Sequence, residues 1–377
     1  MSKSHRKKTK NKRLGLILLL EILIFIGLVA GYAWYYVNYT LNKMGREDTP
    51  KDEIDVSDAV TDTMVEKYTT IALFGLDTRD NVDMTKEGVA HSDAVIIASI
   101  NNETKEVKLV SVYRDCFLEM ARPTPSTQKF THAYFLGGPI CSVETLNKNL
   151  DLNITDYVSV DFKALTNAID ALGGITIDVK SNELNNLNHN LEEQIEVTGI
   201  ASDGIWSAGE QTLNGAQATA YARIRKVGNG DFERTQRQRA VISAMIDKAK
   251  ESNLSTITEV INEVFPQIAT NMSNKEIISL ATSIFDYKLV DNIGFPLANQ
   301  TPTLGSKGSV VVPCDLLSNV KHLHEFLYPE DTTYTPSAEV QRISAEITNE
   351  TGYGDEFTDD KTTETPTQTN TPSSEAY

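Results

Sequence analysis

The run from Leu14 to Val37 constrains this chain more than any other segment. It is apolar apart from Glu21, and Trp34, Tyr35 and Tyr36 stand at its far end. Twenty-odd residues at about 1.5 Å rise cross a hydrocarbon layer of about 30 Å, so the run reads as one transmembrane helix. Met1–Arg13 before it carries Lys3, Arg6, Lys7, Lys8, Lys10, Lys12 and Arg13 and no acid. Cations on that side place the N-terminus in the cytoplasm, and the aromatics suit the outer interface. The run exceeds the apolar region of about 7–15 residues in a secretory leader, and no clean small-x-small site follows it. A retained anchor with an outer domain is therefore expected.

Seven of the 35 Lys+Arg lie in that basic arm, so the remaining 28 face 52 Asp+Glu. A domain this acidic offers no general surface for nucleic acid, which needs a basic one. Cys116, Cys141 and Cys314 are too few for a zinc framework or a stapled mini-domain. In an oxidising outer compartment Cys116 and Cys141 are able to bridge, and two independently buried thiols are the other reading.

The expected order is a basic arm (1–13), the span (14–37), a polar stalk (38–67), a folded domain (68–328) and an acidic tail (329–377). Thr69–Gly75 has β-type composition and ends on glycine. Ala94–Ile100 is an almost continuous apolar run, as in a strand buried on both faces. After the turn at Asn101-Asn102, Val107–Val112 resumes, which predicts a hairpin at the sheet centre. Leu165, Ile169 and Leu172 share a helical face, and Gly173-Gly174 stops that helix. Ile175–Val179 reads as a strand, and Asn182–Gln211 as a polar surface excursion. Helical spacing returns at Asn214–Ala222, Arg234–Glu251, Ile257–Thr270 and Asn274–Phe285, with a late strand at Val290–Phe295. The predicted class is α/β: a three-layer α-β-α ectodomain with a central mixed sheet, preceded by one transmembrane helix. Glu346–Tyr377, rich in acids, Thr, Ser and Pro, lacks the apolar surface to fold, so the tail is expected to be disordered.

The chemistry is signalled by where arginine falls. Arg223, Arg225, Arg234, Arg237 and Arg239 crowd into seventeen positions of an acidic domain, with Lys226 among them. The planar guanidinium matches phosphate oxygens two at a time. Arg223 and Arg225 share a face of an extended segment, and Arg234 and Gln238 share a helical face. The other reading is a solvated basic helix face. Asp77 follows the first strand and Asp93 opens the second. If those strands are antiparallel neighbours, both carboxylates lie at one edge, where a shared cation would relieve their repulsion. Mg²⁺ is the hard cation expected beside phosphate. No P-loop and no nucleophile elbow occurs.

Seven motifs then stand in order: Gly75–Arg79, His91–Asp93, Ser111–Asp115, Lys129–Tyr134 with Gly137-Gly138, Leu172–Gly174, Tyr221–Arg225, and Gly230–Arg234 with Arg237-Gln238. Together they resemble the LytR–CpsA–Psr family over roughly residues 68–251. The resemblance implies a membrane-anchored phosphotransferase of the outer membrane face. Its donor is a glycopolymer on undecaprenyl pyrophosphate, and its acceptor is peptidoglycan, usually the C6 hydroxyl of N-acetylmuramic acid. It places metal aspartates at Asp77 and Asp93. Pyrophosphate ligands fall at Arg114, Arg223, Arg225, Arg234 and Gln238, and Arg79 matches a motif arginine near the site. Asp93 and Arg114 are the expected catalytic pair, Asp93 as proton acceptor and Arg114 as charge stabiliser. An apolar lipid pocket is implied between sheet and helices. Two positions depart from the pattern: His91 replaces an arginine and Tyr113 a proline. The rival readings are a lipid-pyrophosphate phosphatase, in which water replaces the sugar hydroxyl, and a non-catalytic envelope regulator.

Overall fold

The structure, a computed structural model, describes residues 35–46, 49–78, 82–228 and 230–357. Its strands are β1 (Gly45–Arg46), β2 (Tyr68–Leu76), β3 (Ser92–Asn101), β4 (Glu106–Val112), β5 (Phe117–Glu119), β6 (Thr127–Lys129), β7 (Asp156–Asp161), β8 (Ile175–Val179), β9 (Gly209–Leu213), β10 (Ile268–Thr270) and β11 (Lys288–Phe295). The helices that matter below are the described turns of α1 (35–41), α2 (Asp62–Lys67), α3 (Thr131–Leu150), α4 (Phe162–Ala171), α5 (Leu184–Thr198), α6 (Gly215–Ala222), α7 (Asp231–Glu251), α8 (Leu254–Val264), α9 (Asn274–Thr282), α10 (Leu316–Leu327) and α11 (Ala338–Thr351).

Seven strands form one mixed sheet in the order β1-β10-β7-β2-β3-β4-β11. The central β2, β3 and β4 run antiparallel, while β2–β7 and β4–β11 are parallel. Alternation along β3 divides the core. Val95 and Ile97 pack with Tyr134, Val143 and Leu146 of α3 and with residues of α10 and α11. Ile96 and Ala98 face the opposite layer, where Ile242 of α7 meets them. The three-layer α/β architecture with a central mixed sheet is therefore present. A smaller core joins Ile169 of α4, β8, Leu187 of α5, Tyr221 of α6 and Val241 of α7.

The stretch expected to be a plain stalk is partly built into the domain. β1 adds to the sheet edge beside β10, and Ile54 and Met64 are buried. Asn182–Gln211 is not a structureless excursion: α5 occupies Leu184–Thr198, with Leu187 and Leu191 buried. The Ile257–Thr270 helix stops at Val264, and Ile268–Thr270 becomes strand β10. The expectation of disorder from 329 onward is also corrected for its first half. α11 buries Val340, Ile343 and Ile347 at helical spacing, and Arg342 pairs with Glu119, Glu339 and Glu346. Its apolar stripe is narrow, so acids and threonines mask it in a composition count.

Cys116, Cys141 and Cys314 are buried free thiols, so the bridge between Cys116 and Cys141 does not form. Among the described residues no helix is long and apolar enough to cross a membrane. The predicted span lies outside the described residues except at its last three positions.

Candidate active site

The site forms where the central strands end. Antiparallel pairing brings Gly75 opposite Ala94 and Leu76 opposite Ser92, and the register shift there leaves Asp93 as the extra residue. Asp77 follows β2 directly, so both aspartates reach one edge. Thr78 donates to Asp161 at 3.4 Å, and Asp161 caps α4 by accepting from the Ala164 amide at 2.7 Å. These bonds tie the Asp77 turn to the start of α4. Arg114 leaves the end of β4 and donates to Asp93 Oδ1 at 2.6 Å. Arg234, in the first turn of α7 and 3 % exposed, donates to the Asp93 carbonyl at 3.3 Å.

Around these groups lies a polar cavity of about 280 Å³. Arg114, Arg223, Arg225, Lys226 and Arg234 line it against Asp77, Asp93 and Glu193. Five cations against three carboxylates, in a chain of net charge −17, make this a local seat for an anion. Arg223 donates to Gln194 at 3.2 Å, pairs with Glu193 at 3.6 Å and lies 4.9 Å over the Phe162 ring. Arg114, Arg223, Arg225, Arg234 and Gln238 are thus gathered as the sequence predicts. Arg79 falls outside the described residues.

A second cavity, of about 330 Å³, adjoins the first and is almost wholly apolar. Leu73, Ile96 and Val158 floor it from the sheet, and Leu165, Ile242 and Met245 wall it from α4 and α7. Phe162 and Gln238 line both cavities, so they form the boundary between them. The Gln238 Oε1 is buried without a hydrogen-bond partner among the described residues.

Two arginines of the cluster do other work. Arg237 does not join Arg234. It is 5 % exposed, pairs with Glu183 at 2.7 Å and Glu233 at 2.9 Å, and donates to the Ile224 carbonyl at 3.2 Å. Ile224 separates Arg223 from Arg225, so Arg237 is a positioning residue for both. Arg239 does not line the cavity; it is buried and donates to Asn292 at 2.6 Å. Burial lowers its pKa, with Tyr113 opposing. Tyr113 fills the site of the missing proline by packing edge-on to Phe232 at 4.5 Å. Burial pushes its hydroxyl up to about 12. Only glycine fits at 294 on the neighbouring strand, because a Cβ there would collide with that hydroxyl.

The sequence reading missed Asn186, His189, Asn190 and Glu193, which α5 brings to the cavity wall. The signal was the spacing of Leu184, Leu187, Leu191 and Ile195, which marks a helix whose other face carries these polar groups.

The model of the LytR_cpsA_psr family matches residues 31–307. The chain belongs to the LytR–CpsA–Psr family. Within it, the chain is similar to the polyisoprenyl-teichoic acid–peptidoglycan teichoic acid transferase TagT of Bacillus subtilis, 28 % identical over 77 % of this chain and 88 % of TagT. It is also 30 % identical to TagV of the same organism, over 75 % of this chain and 70 % of TagV. The crystal structure of that TagV superposes with a TM-score of 0.54 at 27 % identity, covering 72 % of this chain and 99 % of TagV.

Proposed function

We propose that this LytR–CpsA–Psr protein is a phosphotransferase that moves a glycopolymer from a polyprenyl-pyrophosphate carrier, undecaprenyl in the family pattern, to peptidoglycan. The observation that carries the reading is the meeting of the two cavities at Phe162 and Gln238. A ligand that fits both has a compact polyanionic head and a long hydrocarbon tail. Relatives named for moving polyisoprenyl-linked teichoic acid support the same class.

In this reading the carrier's tail occupies the apolar cavity and its pyrophosphate the polar one. Arg114, Arg223, Arg225 and Arg234 hold the phosphate oxygens, and Gln238 supplies an amide at the neck. A hydroxyl of the acceptor, the C6 hydroxyl of N-acetylmuramic acid in the family pattern, attacks the phosphorus next to the glycopolymer. The bond from that phosphorus to the bridging oxygen breaks, so the phosphate stays with the polymer and prenyl phosphate leaves. In the same reading Asp93, which accepts a hydrogen bond from Arg114, takes the hydroxyl proton. The arginines stabilise the charge that grows on the leaving side.

Asp77 and Asp93 suit Mg²⁺, which commonly takes one or two carboxylates and completes its shell with substrate phosphates and water. Among the described residues no cluster of three or more His, Cys, Asp and Glu offers a closed metal cage. When bound, the ion would neutralise pyrophosphate charge. The basic arm and apolar run before residue 38 support a single-pass membrane protein with this domain outside.

The test is full-length protein in lipid nanodiscs with a polyprenyl-pyrophosphate-linked glycopolymer and peptidoglycan oligomers, with and without Mg²⁺. The expected product is polymer joined to peptidoglycan, with one prenyl phosphate released per transfer. Release of free polymer phosphate at the same rate without acceptor would make it a phosphatase. No turnover of the carrier would leave the regulator reading.

A further inference from the structure

The two ends of the transfer must approach phosphorus from opposite sides, because attacking and leaving oxygens lie roughly in line. The apolar cavity sits on the α4–α7 face of the sheet, over Leu73, Ile96 and Val158. A leaving prenyl phosphate therefore departs toward that face. The incoming hydroxyl has the opposite face, the one covered by α3.

On that face the first turn of α3 is fastened to the catalytic edge. The Thr131 amide donates to the Arg114 carbonyl at 2.8 Å, and its carbonyl lies 3.2 Å from His91 Nδ1. His91 stands two residues before Asp93. There the rings of His91 and Phe135 stack, 5.0 Å apart and 18° from parallel. Both are exposed, Phe135 by 44 %. His132 adds a third ring, 5.3 Å from that of His91, and its Nδ1 lies 3.1 Å from the Gln128 side chain. A phenyl ring 44 % exposed to water, with an imidazole stacked on it, contributes little to the core. It offers a flat π-face, electron-rich at its centre, to whatever docks next to Asp93. The C–H faces of a pyranose ring, which carry slight positive charge, match such a face.

We propose that His91, Phe135 and His132 form the acceptor subsite, a stacking platform for an amino-sugar ring of the peptidoglycan glycan. The proposal rests on the transferase reading for the purpose of the subsite, but binding to it is measurable without turnover. The platform also gives His91 a use that an arginine at this position would not serve in the same way. It turns a charged side chain into a ring that stacks.

The decisive experiment uses the full chain in nanodiscs and three forms: wild type, Phe135→Ala and Phe135→Trp. Uncross-linked N-acetylglucosamine–N-acetylmuramic acid oligomers are the probe. Calorimetric binding should weaken about tenfold in Phe135→Ala, the size expected for one lost aromatic contact, and recover in Phe135→Trp. In the transfer assay the same loss should appear in the acceptor KM, with the KM for the lipid-linked donor unchanged. Circular dichroism should show all three folded, because Phe135 is outside the buried core. Unchanged acceptor binding in Phe135→Ala overturns the subsite, and so does equal loss for donor and acceptor. Wild type that binds the oligomers through Phe135 but transfers nothing keeps the subsite and overturns the proposed function instead.

Discussion

The arginines of α7 face two ways, and the contrast is instructive. Arg234 looks outward into a cavity shared with Asp93, while Arg237 and Arg239, three and five residues on, are buried against Glu183 and Asn292. Identical side chains, one turn apart, serve a ligand on one face and the fold on the other. A count of arginines signals phosphate chemistry, but partners decide which of them perform it. Arg223 belongs with Arg234: it is half-exposed, and its pairing with Glu193 is loose at 3.6 Å. A pairing that loose yields to a stronger anion. The pair between Arg237 and Glu183 does not.

The sharpest way to break this division is Arg237→Ala. It strands Glu183, 2 % exposed, without its cation, which should cost about 3–5 kcal/mol of stability. Thermal unfolding reads it, and an unshifted Tm would place Arg237 with the ligand-facing group. Next in size is Arg223→Ala, expected to lower transfer by about 10²–10³, or about 2.7–4 kcal/mol of barrier, with Tm nearly unchanged. Arg223→Lys keeps the charge without the fork and should recover only part of the rate.

The same contrast extends to histidine. His324 is buried, and its pKa is pushed down to about 4, chiefly by burial, with the Leu150 carbonyl opposing. The unfolded chain binds that proton near pH 6.5, so stability is full above this value. It should fall by up to about 3 kcal/mol as pH drops toward 4. A denaturant series across that range checks it, and His324→Leu should flatten the slope. Smallest is Arg239→Ala. Losing the bond to Asn292 should cost about 1–3 kcal/mol, while the folded protein keeps its transfer rate within a few-fold. A rate collapse equal to that of Arg223→Ala would turn the cavity into a general electrostatic surface rather than a shaped pyrophosphate site.

What the sequence reveals and conceals follows from burial. The apolar runs at Ala94–Ile100 and Val107–Val112 announce central strands because both faces of such strands are covered. Their antiparallel pairing then brings Asp77 and Asp93 together, as the turn positions predict. Concealed are the elements whose apolar stripe is one residue wide. α5 shows asparagine, histidine and glutamate on its exposed positions, and α11 hides Val340, Ile343 and Ile347 among acids. Arg237 and Arg239 are illegible for a related reason. A basic residue on a helix reads as solvated unless its buried partner is known, and Glu183 and Asn292 lie 54 and 53 positions away. The apolar cavity leaves no local pattern, since its lining comes from seven separate elements.

β1 has a consequence for how the domain is carried. Gly45 and Arg46 pair with Ala269 and Thr270, and Arg46 donates to Asn274 at 2.6 Å. Lys51 then holds Asp156 and also Glu276, the latter at 2.7 Å. Upstream, the Tyr36 hydroxyl and the Asn262 side chain of α8 exchange hydrogen bonds at 3.0 and 2.8 Å. Residues 36–46 and 49–51 are therefore bolted to the sheet edge as a bracket, where a flexible leash would let the domain swing. On the proposed membrane anchor, such a bracket would set both the height and the tilt of the site above the bilayer. A lipid-linked carrier would then enter from a constant direction, and the glycan strands in reach would be those passing at one set distance from the lipid. Lengthening the bracket should change which strands are modified before it changes how fast any one of them is.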